Sequence, residues 1–225
     1  MRNVFFRKEK WLLRKYPFSR VFGNDRGNPI DRHLIELFLA SHSNDIKCKV
    51  LEIGDDQYTY KFGNNLTNTA ILAGPIDSLR SQCYPLGDLT DEHTLKNVDK
   101  YNCVIATNVL NFIYDINAAV RGLATLVQPN NGCVLVTVAG LAQISRVDYN
   151  LWGDYWRLND MSVRKLFETC FETVEITTYG NAPLAAAFIM GLAEEEVPSS
   201  LFKLNDSDFQ IVIAVKASTP KLRLN

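Results

Sequence analysis

Glu52, Gly54, Asp55 and Asp56 close an apolar run that begins at Lys49, and Asp88-Leu89 and Thr107-Asn108 close two later ones. Carboxylates gathered at such points favour a cationic group. One pair about 4 Å apart is worth roughly 1–4 kcal/mol at surface-like dielectric. The same field opposes a pyrophosphate, and the chain lacks a Gly-x-Gly-x-x-Gly fingerprint, so a dinucleotide is disfavoured. Gly54 permits positive φ and lets backbone approach a ligand closely.

A second set is Trp152-Gly-Asp-Tyr-Trp-Arg157. Aromatic faces beside an acid and a guanidinium suit a sugar, with Trp152, Tyr155 and Trp156 packing on its apolar side and Asp154 and Arg157 meeting hydroxyls. Arg157, or Arg26 and Arg32, suits a bidentate contact to a phosphate or uronate. The competing expectation is a packed corner in which Arg157 is salt-bridged to Asp154. Proton removal from a hydroxyl needs a base. His33, two residues after Asp31 on the first turns of a helix, is the candidate by type; the alternative is a histidine with a structural or solvent-facing role.

These residues need a scaffold that brings strand ends together. Asn28-Pro29 reads as a helix start, Asn capping and Pro in the first turn. Ile30, Leu34, Leu37 and Phe38 then recur at helical spacing, to about Ser41. Strands are expected at Lys49–Ile53, Thr69–Ala73, Ser81–Leu86, Tyr101–Ala106, Cys133–Val138, Val174–Thr178 and Phe209–Val215. Helices are expected at Asn117–Val127, from Asp160 as cap, and at Leu184–Ala193. Unalternating runs such as Cys103-Val-Ile-Ala106 suit strands covered on both faces. The alternation predicts an α/β, Rossmann-like domain: a seven-stranded, mostly parallel sheet, helices on both faces and an antiparallel edge strand. In such sheets the ligand sits beyond the carboxyl ends of the strands.

At 225 residues the chain suits one α/β domain, residues 46–225, with residues 1–45 as an arm and helix covering its active site. A net charge of −1 gives no reason to expect nucleic acid. Five widely spaced cysteines without a Cys-x-x-Cys pair argue against a disulfide framework or zinc site, and no metal-ligand cluster stands out. A reducing cytosol fits. The N-terminus lacks a continuous apolar core, so a signal peptide is not expected. Its basic and aromatic mixture suits either an anionic membrane surface, which would place the protein at the inner face, or a protein partner, or packing on its own domain.

Leu51-Glu-Ile-Gly54 resembles the first motif of the class I S-adenosylmethionine-dependent methyltransferases. The resemblance implies that Glu52, Gly54, Asp55, Asp56, Tyr58, Asp88, Leu89, Thr107 and Asn108 line a site for S-adenosylmethionine and its product S-adenosylhomocysteine. Asp56 and Tyr58 stand where the family usually has further glycines. Arg26-Gly-Asn-Pro-Ile-Asp-Arg32, Gly54-Asp-Asp-Gln-Tyr-Thr-Tyr-Lys-Phe-Gly63 and Trp152–Arg157 resemble a bacterial branch associated with surface-polysaccharide and glycosyltransferase loci. That resemblance implies O-methylation of a glycan, sugar nucleotide or polysaccharide end, with His33, Asp154 and Arg157 as catalytic candidates; the lack of a metal-ligand cluster predicts that the reaction is metal-independent. Arg26, Asp31, Arg32, Trp152, Tyr155 and Trp156 are then acceptor contacts. Methylation of a small non-sugar metabolite is the second expectation. A non-catalytic module that docks on a glycosyltransferase is the third.

Overall fold

A computed structural model describes residues 14–72 and 88–221. The described strands form one six-stranded sheet in the order β2-β1-β3-β4-β6-β5. They are β1 (Lys47–Ile53), β2 (Asn64–Leu72), β3 (Cys103–Thr107), β4 (Cys133–Ala139), β5 (Phe171–Tyr179) and β6 (Val212–Pro220). β1, β2, β3 and β4 pair in parallel, whereas β6 runs antiparallel to both β4 and β5. The antiparallel pair expected at one edge is therefore β5 with β6. The strand expected at Ser81–Leu86 lies outside the described residues, as do Ala73 and the first thirteen residues of the basic arm.

The central strands are buried on both faces because both faces carry helices. All seven residues of β4 are buried. Side chains alternate across a strand, and neighbours in β1 separate accordingly. Leu51 joins the core formed with helix α4 (Ile116–Leu126), whereas Val50 joins the core formed with α1 (Ile30–Ser41) and α7 (Ala182–Ile189). Burying each large aliphatic side chain contributes roughly 1.5–3 kcal/mol. In α1 the buried stripe is Ile30, Leu34, Ile35, Phe38 and Leu39; Leu37, expected inside, is exposed.

Local chemistry corrects two expected caps. Pro29, not Asn28, occupies the position before α1, and no side chain caps that end. Asn28 instead donates through Nδ2 to Glu194 at 2.7 Å. Asn159, not Asp160, caps α6 (Asp160–Glu168), in a reciprocal box with Ser162. Two short helices had no clear sequence signal: α2 (Gln57–Phe62) and α5 (Arg146–Leu151), with α3 (Glu92–Leu95) a single turn between β2 and β3. α5 buries none of its residues, so it has no apolar stripe to read. No helix among the described residues is long and apolar enough to cross a membrane.

Candidate ligand cleft at the strand ends

The chain leaves β1 for β2 on one side and β3 for β4 on the other, although β1 and β3 are paired. That reversal is the switch point where a crevice opens beyond the strand ends. Three adjoining cavities occupy it, and Thr107, Asn108 and Asp148 line all three. The largest, about 840 Å³, takes in Gly54, Asp55, Asp88, Leu89, Tyr114, Trp152 and Tyr155. The second, about 490 Å³, lies under α1 and takes in Asp31, Arg32, Gly54, Asp55 and Tyr58. The third, about 220 Å³, reaches from Asp31 to Asp154 and Arg157.

Gly54 sits at φ +97, and its N–H donates to the Leu72 carbonyl at 3.1 Å. A Cβ built there would meet nothing within 4 Å among the described residues. Its open side faces the cleft rather than the following helix. Asn108 also has positive φ, +52, which Asn tolerates better than most residues. Its N–H donates to the Thr137 carbonyl at 2.9 Å and its Nδ2 points to Asp31 Oδ2 at 3.4 Å, while its Oδ1 is buried without a partner among the described residues. Asp88 accepts from the N–H and hydroxyl of Thr90, which leaves its carboxylate exposed on the cleft wall.

Glu52 is placed differently from its expected ligand role. It is buried and accepts from Tyr58 N–H at 3.2 Å, Thr59 N–H at 2.7 Å and the Thr59 hydroxyl at 2.7 Å. It therefore holds the start of α2 against β1 and is not a wall of the cleft. Asp56 likewise precedes α2 and lines none of the three cavities. Tyr58 reaches the second cavity, and burial pushes its phenol up to about 12.

His33 is not a cleft residue either. Its Nδ1 lies 2.7 Å from Glu194 Oε1, and its ring packs on Phe202 with centroids 4.3 Å apart. It lines a separate cavity on the other side of α1, with Glu194, Phe202 and Lys203. Arg26 pairs with Glu196 in the same direction. Arg32 stays at the cleft, donating to Gln57 Oε1 at 3.3 Å.

Arg157 and Asp154 form the packed corner. Arg157 donates to Asp154 Oδ1 at 2.5 Å and Oδ2 at 2.8 Å, and also to the carbonyls of Ala142, Gln143 and Trp156. Asp154 also accepts from Ser145 N–H at 3.0 Å. Trp156 donates to the Ile113 carbonyl at 3.0 Å and packs against the core. Trp152 and Tyr155 face the largest cavity, where Tyr114, unremarked in the sequence, meets Tyr155 edge-on at 5.3 Å and stacks over Trp156 at 6.0 Å. Asp148 was also missed because it lies on α5, whose pattern gives no signal.

Two carboxyls in and beneath the cleft hold protons unusually tightly. Burial pushes Glu52 up to about 7, against the bonds from Thr59 and Tyr58, and Asp31 up to about 6, against the Arg32 N–H. The unfolded chain releases these protons near pH 4. Stability from this source is full below that pH and is lost as pH rises through about 6 and about 7. Urea midpoints are therefore expected to fall between pH 5 and pH 7.5, and the fall should be shallower in Glu52→Gln.

No protein-family model matches the chain, and no curated protein matches it in sequence. Solved structures match it in fold. A SAM-dependent methyltransferase from Archaeoglobus fulgidus is 13% identical over 84% of this chain and 94% of that one, with a TM-score of 0.53. The N-methyltransferase NodS from Bradyrhizobium japonicum WM9, in complex with S-adenosyl-L-homocysteine, is 14% identical over 93% and 95%, with a TM-score of 0.50. The chain has the Rossmann-like fold of these methyltransferases.

Proposed function

We propose that this chain is an S-adenosylmethionine-dependent methyltransferase. The observation that carries the proposal is the cleft at the β1/β3 switch point, where a positive-φ glycine opens onto a wall of acids and apolar side chains. The residues present fit the cofactor. Gly54 and Asn108 supply backbone that a methionine end could approach, and Asp55 supplies a carboxylate for its cation. Asp88 and Leu89 supply an acceptor and an apolar face for the adenosyl end. Bound there, the cofactor supplies an already activated methyl group. The protein's part is to align the acceptor in line, exclude water and take up a proton.

The acceptor reading is a hydroxyl of a glycan, sugar nucleotide or polysaccharide end. Tyr114, Trp152 and Tyr155 give aromatic faces at the mouth of the largest cavity, and Asp148 stands beside them. That pairing of flat apolar surface with hydrogen-bond acceptors suits a sugar. Arg157 has its donors engaged by Asp154 and three carbonyls, so it adds little for a phosphate. A glycosyltransferase partner or a membrane surface remains a proposal for the basic aromatic N-terminal segment.

Calorimetry with S-adenosylmethionine and S-adenosylhomocysteine tests the cofactor assignment. Binding of both is expected without added metal. No binding of either at millimolar concentration overturns the assignment and favours a non-catalytic module.

A further inference from the structure

We infer that Asp31 faces the transfer point and receives the proton that the acceptor hydroxyl gives up. The inference rests on the methyltransferase reading above, and names a residue within that site.

Position is the first argument. Asp31 lines the second and third cavities but not the largest, which holds Asp88, Leu89 and the aromatic mouth. The three meet at Thr107 and Asn108, and Asp31 Oδ2 is 3.4 Å from Asn108 Nδ2. Asp31 therefore stands at the junction, next to the Asn108 wall shared with the cavity that holds the adenosyl end and the aromatic mouth.

Partnership is the second. Asp31 Oδ1 accepts its neighbour's N–H, from Arg32, at 2.9 Å, and among the described residues no ion pair reaches it. The nearby cations are turned elsewhere: Arg32 to Gln57, His33 to Glu194, and Arg157 to Asp154. The charge of Arg32 still acts on Asp31, though less than burial does; a half-buried carboxylate without an ion pair is costly, and such a group in a cleft is a candidate for proton transfer. Arg32 on α1, Asp55 and Tyr58 from the β1–α2 segment, Asp148 on α5, and the Asp154–Arg157 pair are the charged or titratable groups on the walls around it. Burial raises Asp31 to about 6, so at neutral pH it is ionised yet more basic than an ordinary carboxylate.

In the step, the acceptor's O–H bond breaks and its proton passes to the Asp31 carboxylate. The oxygen's electron pair forms the new bond to the methyl carbon. The pair of the breaking C–S bond stays on sulfur, leaving a neutral thioether.

Two probes test this without knowing the acceptor. Sinefungin carries a protonated amine on the carbon that replaces the methylated sulfonium, so it puts a cation at the transfer point; S-adenosylhomocysteine does not. Asp31→Asn is expected to weaken sinefungin roughly tenfold or more while changing S-adenosylhomocysteine less than about twofold. Asp31→Glu should restore part of the difference. In the wild type, whose fold is not in question, preference for sinefungin should decline as pH falls below about 6. The Asp31 carboxyl carbon, assigned by its loss in Asp31→Asn, should titrate near that same pH by NMR with S-adenosylhomocysteine bound. If Asp31→Asn shifts both ligands equally or neither, Asp31 is not at the transfer point. A carboxyl midpoint near 4 overturns the proton-accepting role. Failure of the wild type to bind either ligand instead sinks the cofactor assignment.

Discussion

Gly54→Val is expected to lower affinity for S-adenosylhomocysteine more than about a hundredfold, or roughly 2.7 kcal/mol, measured by calorimetry. Two costs combine. Gly54 sits at φ +97, where an L-residue is strained by roughly 1–3 kcal/mol and a β-branched one fits worst. Among the described residues the added Cβ meets no atom within 4 Å, and Gly54 lines the cleft, so the side chain projects where the ligand must enter. The fold should tolerate the change, because nothing packed is displaced; a modest fall in melting temperature reports the backbone strain alone. Gly54→Ala should lie between, with the strain and less obstruction. Wild-type affinity in a folded Gly54→Val protein would mean that the cofactor does not bind at the end of β1.

The frame of this site was legible in the sequence because strand ends announce themselves. Apolar runs without alternation located β1, β3 and β4, and the residues that close the first two fell where the cleft opens, as did Asp88 and Leu89. Gly54, Asp88, Leu89, Thr107 and Asn108 all line it. Side-chain direction was not legible. Successive residues of an α-helix point about 100° apart, so Asp31 and His33 face nearly opposite sides of α1. Sequence alone gave preference to His33 by residue type. The packing of α1 turns Asp31 to the cleft and His33 to Glu194. The direction of the Glu52 side chain was hidden for a related reason. A strand alternates its faces, and this acid points down onto the two N–H groups that open α2, not out past the strand end. Tyr114 and Asp148 escaped because they sit on a loop and on a six-residue helix that buries nothing, where no periodicity exists to be read.

Arg157→Ala is expected to destabilise the protein by roughly 3–5 kcal/mol, the cost of leaving a buried carboxylate without its partner. The Asp154 side chain is 1% exposed, against 25% for Arg157. Burial alone would raise the Asp154 carboxyl, but the bonds from Arg157 and the Ser145 N–H outweigh it and hold it below its ordinary value. The pair therefore stabilises the fold above pH 4 or so, and that stability is lost as pH falls through the depressed value. Arg157→Ala has none of it to lose, so its urea midpoint should change less than the wild type's on acidification. Loss of the guanidinium also frees the carbonyls of Ala142, Gln143 and Trp156, which tie the loop after β4 across the third cavity. Adding Asp154→Asn should recover part of the stability, since a neutral amide is cheaper to bury than a lone carboxylate. Cofactor affinity of the folded fraction should stay near wild type, because neither residue lines the largest cavity. If Arg157→Ala instead keeps the wild-type denaturation midpoint and loses only methyl transfer, then Arg157 acts on the acceptor and the corner is not what holds this loop.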